Sequence, residues 1–597
     1  MADTGEIVPR MYGSFRGVDF RGEEVNYSRS PDSLNMWRDY KKLTSVSTRP
    51  EFEEVTHSLT GTIHSITFYK ERLMVHCGNT IYSMKNNLST PIGETKYAGG
   101  VGFVFNDKFY IVGGGNYVEW DGTTFKDFSN FTEKKAYIPT TTIAKRSTDA
   151  TIDGGKSFAE EADPEYASTR KASGGTRYED INMLSPYRYN TFCGDGQTKT
   201  FELDTRGIEE VVSFSVNDQV WDKSAYSYSD DGTITINTGV NAPPAPLTVG
   251  QDNIKVLFKK TVNGYFNAIA NCTIIRIFDN RIFFSGNPDY PNYFWHCALN
   301  DATYISDLDY YKEGQDNGKI RDMVAGNNAL WVFREPTDSG ADVFYHTPYT
   351  DETYGKIYPS SHSSISLGCV GRAVNFNDDI VYFSRRGMEG ISGDITTEQM
   401  AAHRSSLVDR KLIAEGRYSD MLLAEWRGYL LCFVPKGDAT AVYLADSRAM
   451  WQNENHYEYE WYYWELPFLV TSAVAYEDKI YCATDKSILV LSDDNGMAEC
   501  ECYWVTPKDK FDTPYKQKTT NKKGCVVEAL GNFAILVKTD TDTEFDEIGR
   551  YSSTDHIVSR IKKKKFKDIQ IKFYSEREGF SLESVTLEAI VGGYIKN

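Results

Sequence analysis

Chemistry in a chain of 597 residues has to come from a few side chains, and here the candidates are scattered. The nine histidines form no cluster with metal-ligand spacing. The nearest approach is His57 and His64, followed by His76-Cys77 at the end of an apolar run, where plain strand packing is the favoured reading. Cys500-Glu501-Cys502 is a lone C-x-C with no second pair, and alternating strand positions account for it. Asp195 lies between Gly194 and Gly196; Ca²⁺ wants about six to eight oxygens, so one aspartate there reads as a turn. No G-x-S-x-G, H-E-x-x-H, Walker loop or Rossmann fingerprint is present. Carboxylates are abundant, yet nothing in the sequence sets two of them about 5 to 9 Å apart across a sugar. The repeated Ser-x-Asp-x-Gly-x-x-Trp box of sialidase propellers is also missing. The expectation is a protein that is not an enzyme, with no catalytic residue, cofactor or metal site.

Two kinds of stretch remain as binding candidates. Tyr290-Pro291-Asn292-Tyr293-Phe294-Trp295 and Tyr457-Glu458-Tyr459-Glu460-Trp461-Tyr462-Tyr463-Trp464 are aromatic runs of the kind that form sugar platforms. Alternation with Glu458 and Glu460 favours instead a strand with one packed and one exposed face, because strand neighbours point to opposite sides. Lys562, Lys563, Lys564 and Lys565 are the one basic run. A charged edge strand that discourages unwanted pairing is the favoured reading, and contact with DNA phosphate or an acidic neighbouring subunit is the sharper one.

The elements that position these residues are β-hairpins. A phrase of apolar residues, a tight polar turn and a second apolar run occurs seven times, with turns at Lys70-Glu71, Asn106-Asp107, Asp279-Asn280, Asn327-Asn328, Asn377-Asp378-Asp379, Arg427-Gly428 and Glu477-Asp478. Asn, Asp and Gly tolerate tight-turn backbone angles, while β-branched and aromatic residues suit the pleats. Aligned on Tyr69, Phe105, Phe278, Gly326, Phe376, Glu425 and Tyr476, the copies are 36, 173, 48, 50, 49 and 51 residues apart. A four-stranded propeller blade uses about 40 to 50 residues. The predicted fold class is therefore all-β, a β-propeller of about six to eight blades with seven hairpins visible. The step of 173 must hold an insertion, with a further weak blade shared between a polar arm and Tyr265–Asn271.

Composition agrees with an all-β chain: 14% aromatic, with 40 Tyr and 32 Phe. The ten cysteines are dispersed and several lie inside apolar strand runs, which favours buried thiols over disulfides and suits a reducing cytoplasm. No stretch approaches the roughly 20 apolar residues of a membrane helix, and no signal-peptide pattern opens the chain, so neither secretion nor membrane insertion is expected. The net charge of -19 argues against a grip on nucleic acid, though not against a conduit through which DNA slides.

In chain order the predicted parts are an N-terminal assembly segment at 1–57, first blades at 58–137, an extended polar arm at 138–187, an inserted β-sandwich at 188–262, further blades at 263–499, and a C-terminal β segment at 500–597. The order Ser30-Pro31-Asp32, Leu34-Asn35-Met36 and Thr48-Arg49-Pro50-Glu51-Phe52, followed by propeller-like hairpins, resembles the opening of tail nozzle proteins of short-tailed phages, the tail tubular protein B family. The phrase Phe192-Cys193-Gly194-Asp195-Gly196-Gln197-Thr198, continuing to Phe201-Glu202-Leu203, is similar to a β-module that recurs across phage virion proteins; in the nozzle pattern itself this insertion is a departure.

What the resemblance implies is a bacteriophage tail component, made in the host cytoplasm and placed in the virion. It would be a hexameric nozzle ring, bound to other tail or adaptor proteins, that guides DNA through its lumen without sequence-specific contact. Thr48, Arg49 and Pro50 would then have an assembly role. The alternative is a carbohydrate-binding or glycan-hydrolysing propeller for host-surface recognition, and a third reading is a cellular scaffold.

Overall fold

The computed structural model describes residues 5–22, 25–133, 136–139, 151–152, 156–157, 181–247, 252–340, 342–351, 355–393, 397–415, 417–453, 456–553, 556–559, 561 and 563–594. Most of the predicted polar arm at 138–187 lies outside these. The protein is all-β, with many small antiparallel sheets. It divides into two compact units: Met1–Ile92, Phe333–Val343 and His362–Asn597 in one, and Gly93–Val332 with Phe344–Ser361 in the other.

All seven predicted hairpins are present. Both central residues have positive φ in the Asn106-Asp107, Asp279-Asn280, Asn327-Asn328, Asn377-Asp378 and Arg427-Gly428 turns. That is the backbone of the tight two-residue turn whose twist matches the flanking strands. In the Lys70-Glu71 and Glu477-Asp478 turns only the first residue has positive φ. One register differs from expectation: Trp426, rather than Glu425, faces Tyr429 across its turn. Phe376, Trp426 and Tyr476 therefore occupy equivalent places, evenly spaced along the chain.

Six of the hairpins open a run of four strands and the seventh a run of three. Sheet A holds Ile63–Tyr69, Arg72–Cys77, Thr80–Lys85 and Leu88–Glu94, and sheet B holds Val101–Phe105, Lys108–Gly113, Asn116–Trp120 and Phe125–Asp127. Sheet C is Ile274–Phe278, Arg281–Ser285, Tyr293–His296 and Tyr310–Lys312; sheet D is Ile320–Gly326, Ala329–Arg334, Val343–His346 and Ser360–His362. Sheet E comprises Ala373–Phe376, Asp379–Ser384, Gly387–Ser392 and Met400–His403. The four strands of F, Leu422–Trp426, Tyr429–Lys436, Ala439–Asn453 and His456–Leu466, run on into a 15-stranded sheet. Sheet G has only three strands of its own, Ser472–Tyr476, Lys479–Ala483 and Ile488–Leu491.

Within the units the first strands of these sheets lie side by side, B against C, C against D, F against G and G against A. Their apolar faces make shared cores, such as Leu431, Phe433, Tyr462 and Trp464 of F with Ile480 and Leu491 of G. Residues Tyr265–Ala270, expected to help a further blade, form a short helix whose Ala268, Ile269 and Ala270 are buried. The 188–262 insertion supplies four strands of a five-stranded sheet, whose fifth strand, Ala136–Pro139, comes from outside it and pairs parallel to Tyr187–Phe192, and a three-stranded sheet; their core includes Phe192, Phe201, Phe214 and Phe258.

The N-terminal segment is woven in rather than appended. Strand β1 (Glu6–Tyr12) pairs with Phe580–Tyr594, and β2 (Ser33–Leu34) with Cys502–Val505. Strand β3 (Met36–Trp37) bridges to Tyr463, β4 (Val46–Thr48) pairs with both β3 and Phe580–Tyr594, and β5 (Phe52–Glu54) supplies the fourth strand of sheet G. At the crossover Thr48 Oγ1 accepts from the Phe580 N–H at 3.1 Å and donates to the Phe580 carbonyl at 3.2 Å. Replacing Thr48 by Val keeps the shape and leaves that buried N–H without its acceptor. The expected cost is about 1–3 kcal/mol, read as a lowered urea midpoint with an unchanged slope; an unshifted midpoint contradicts the role given to Thr48.

Candidate functional site

The richest cluster of ionisable groups surrounds strand His456–Leu466, and it corrects the expected exposed face. Glu458 and Glu460 are both fully buried, as are the aromatic residues Tyr459, Trp461 and Tyr463 between and beyond them. The acidic face is covered by the N-terminal segment and by the loop after sheet E. Glu460 accepts from Arg29 Nε at 3.1 Å and Nη2 at 2.8 Å, and Arg16 Nη2 lies 3.1 Å away. Glu458 accepts from the backbone and hydroxyl of Ser406. Gly17 permits the close approach: its φ is +94°, and a Cβ there would sit 2.2 Å from the Trp461 carbonyl oxygen.

On the other face, Tyr459 donates to Asp379 at 2.8 Å, and Asp379 also accepts from Arg404 Nε at 2.8 Å. From Tyr459 to Trp464 this aromatic run is therefore core, and only Tyr457 at its start is exposed. Buried carboxylates of this kind are retained by their cations; removing one partner strands a charge at a cost of about 3–5 kcal/mol.

Beside this network lies a grouping that superficially resembles catalytic machinery. His403 Nδ1 is 3.0 Å from Glu389 Oε1 and its Nε2 is 2.5 Å from Asp409 Oδ2, while Ser405 Oγ donates to Asp409 Oδ1 at 2.6 Å. Burial pulls the His403 pKa down, but hydrogen bonds and charge from the two carboxylates outweigh it and hold the value at about 10. An imidazolium with both nitrogens committed cannot take a proton, and the serine hydroxyl addresses the aspartate rather than the histidine. A nucleophile needs a neutral base within reach, so the trio acts as a clamp. Gly387 completes it: with φ +128°, a Cβ there would meet Asp409 Oδ1 at 2.1 Å.

The second unit holds a comparable buried knot. Tyr358 donates to Asp279 Oδ2 at 2.7 Å and accepts from Arg281 Nε at 3.0 Å, with Lys356 Nζ 2.7 Å from Asp279 Oδ1. His346 Nδ1 lies 2.9 Å from the Tyr358 carbonyl oxygen and its Nε2 lies 3.2 Å from Glu313. His296 donates from Nδ1 to the Cys297 carbonyl at 3.0 Å, and burial lowers its pKa to about 4. Tyr358 and His346 are completely enclosed, so no substrate reaches them.

The residues singled out from sequence are placed as follows. Thr48, Arg49 and Pro50 are brought together with 495–498: the Arg49 carbonyl accepts from Ala498 N–H at 2.9 Å, the Arg49 guanidinium donates to the Pro50 carbonyl at 3.0 Å, and Pro50 bridges to Met497. Of the lysine run, Lys563 is bound to Asp542 at 3.0 Å and Asp546 at 2.6 Å, while Lys565 is exposed with φ +59°. Lys562 lies outside the described residues, and Lys564 belongs to the edge strand Lys564–Phe566. All ten cysteines are free thiols, and burial pushes Cys502 up to about 12. Asp195 accepts from Gln197 N–H at 2.7 Å and Thr198 N–H at 2.6 Å, as a turn aspartate does. Among the described residues no three His, Cys, Asp or Glu side chains gather as a metal site, and no helix is long and apolar enough to cross a membrane.

Sequence reasoning missed Arg16, Arg29, Arg404 and His403. The available signal was the presence of arginines at 16 and 29 and of acidic residues in the Tyr457–Trp464 strand, but the Arg29–Glu460 pair spans 431 residues.

No family model and no curated protein matches the chain. Among solved structures it aligns with PorZ, an essential bacterial surface component of the type-IX secretion system of Porphyromonas gingivalis, at 9% identity over 89% of this chain and 85% of that one, with a TM-score of 0.22. It also aligns with the extracellular domain of the putative one component system BT4673 of B. thetaiotaomicron, at 9% identity, 96% and 98% coverage and a TM-score of 0.24. A third alignment is with apo AztD of Citrobacter koseri, at 8% identity, 77% and 98% coverage and 0.27. Superpositions this shallow assign neither fold nor function.

The His403 clamp has a defined pH signature. Its folded pKa of about 10 lies above the ordinary histidine value of about 6.5, so its stabilisation is complete below pH ~6.5 and disappears as pH rises through about 10. His403→Gln should be markedly less stable than the parent at pH 6, and the two should converge near pH 10.5 in urea unfolding. Parallel curves across that range would exclude the clamp.

Proposed function

We propose that the chain is a structural subunit of a bacteriophage tail, a nozzle-like ring protein and not an enzyme. In this reading sheets A to G are the blades of a propeller, sheet G is completed by β5 to close it, and residues 188–262 are an inserted β-sandwich. The observation that carries the proposal is the position of the family phrase. Thr48, Arg49 and Pro50 lie where the N-terminal segment leaves the C-terminal sheet and enters sheet G, a place that suits an assembly role. The ionic clusters support the same reading, because their carboxylates and cations are engaged with one another and hold elements together.

Function then follows from symmetry and charge. Copies meet through heterologous contacts that close into a ring of about six. With a net charge of -19, a lumen lined by such subunits repels DNA phosphate and lets the duplex slide during ejection. Neighbouring tail or adaptor proteins hold the ring in place, and no membrane insertion is involved.

Light scattering on the purified protein, together with imaging of particles carrying it, tests this. The expected result is a ring of about six copies, in solution or on the particle, at the distal end of the tail. A chain that stays monomeric at every concentration and is absent from particles contradicts the proposal.

A further inference from the structure

Sheet C carries an aromatic surface that the tail role does not use. Across its last two strands Trp295 faces Tyr310, and Tyr293 faces Lys312. The period-two alternation of strands puts these four side chains on one face and sends Phe294 and Tyr311 to the other. Tyr293 is stacked on Tyr310 at 5.9 Å and 24°, and on Trp295 at 6.0 Å and 23°. Tyr290, from the loop before the strand, stands edge-on against Trp295 at 5.6 Å and 87°. Trp295 is covered by its neighbours, whereas Tyr290 is 40% and Tyr310 49% exposed.

The two faces differ in how their hydroxyls are used. On the inner face Tyr311 Oη accepts from the Tyr358 N–H at 2.9 Å. Among the described residues, the hydroxyls of Tyr290, Tyr293 and Tyr310 on the other face, where Trp295 enters the core shared with sheet B, have no hydrogen-bond partner in the chain. The loop that presents Tyr290 is fixed: Asn292 Nδ2 donates to the Glu313 carbonyl at 3.0 Å and the Asp316 carbonyl at 2.8 Å, and Asn287 Nδ2 donates to Ala268 at 2.9 Å. The rings are thus held in place before any ligand arrives, which removes part of the ordering cost of binding.

We infer that this face, formed by Tyr290, Tyr293, Tyr310 and Lys312, is a binding site for the pyranose rings of a neutral polysaccharide. A pyranose offers an apolar C–H face that stacks on an aromatic ring and equatorial hydroxyls at its rim, and tyrosine offers the complementary flat body with a polar tip. The Lys312 ammonium, 5.8 Å from the Tyr293 ring centre, supplies a donor beside the platform. Local charge selects against the other ligands that stack on aromatics. Asp289 and Asp309 directly precede Tyr290 and Tyr310 in the chain, and one lysine against these carboxylates disfavours a polyanion such as single-stranded nucleic acid. This inference does not depend on the tail reading.

The test is affinity electrophoresis of the full chain through gels containing a β-glucan, a galactan or a mannan, with heparin and single-stranded DNA gels for comparison. At least one neutral polysaccharide should retard the protein, and Tyr290→Ala with Tyr310→Ala should weaken that retardation at least about tenfold. Tyr310→Phe, which keeps the ring, should give a partial loss, and Tyr349→Ala, at an exposed tyrosine outside the cluster, should change nothing. Thermal unfolding of each variant at the parental temperature shows that the fold is intact. Retardation by none of the three neutral polysaccharides, retardation by heparin or DNA alone, or retardation that survives the double substitution each overturns the inference.

Discussion

Completion of sheet G in the first unit depends on three residues of strand pairing. Sheet G has three strands of its own, and its fourth, Phe52–Glu54, comes from near the start of the chain. The bond between Asn495 Nδ2 and the Glu51 carbonyl spans 444 residues. Without β5 the outer edge of Ile488–Leu491 would be unpaired, and an open strand edge invites association with other chains. The entropy of closing so long a loop grows only logarithmically with its length, so a short strand suffices if its neighbours are well fixed. They are: Phe52 packs in one core with Trp37, Trp426 and Leu491, and the adjoining Thr48–Pro50 stretch is bonded to Phe580 through Thr48 and to Ala498 through Arg49.

The same segment explains why so much charge is buried. A leader that must recognise one distant strand among many similar hairpins needs more than apolar contact, because hydrophobic burial is non-directional. Arg29 and Arg16 on Glu460, Arg38 on Asp446, and Lys41 with Arg427 on Asp493 supply directional matches along its path. Trp37 stacked on Trp426 at 5.5 Å adds area at the centre. The arrangement places the ionic groups where they fix geometry.

The hairpins were legible because a tight turn leaves a local mark: Asn106-Asp107 or Asn377-Asp378 between apolar runs specifies positive φ within two residues. The Arg427-Gly428 turn lacks that mark at its first position, and there the expected register slipped by one. The weave of β1 to β5 was not legible, since strands of two or three residues show no periodicity and their partners lie hundreds of residues away. The aromatic runs show both outcomes. Tyr457–Trp464 reads as a one-faced strand until the N-terminal segment covers its acidic side. Tyr290–Trp295 is also rich in aromatics, but Tyr290 and, across the strand pair, Tyr310 remain open to solvent. Whether an aromatic strand is core or surface is decided by what lies over it, and a sequence window cannot contain that.

The most direct test of this account is native-state hydrogen exchange, followed by mass spectrometry on peptides from β5, from Ile488–Leu491 and from Lys479–Ala483. If β5 closes the sheet as a working strand, its amides and those of Ile488–Leu491 exchange through one shared opening, with protection close to that of Lys479–Ala483. If β5 exchanges freely while Lys479–Ala483 stays protected, the segment is an ornament on a sheet that is stable without it, and the central claim fails.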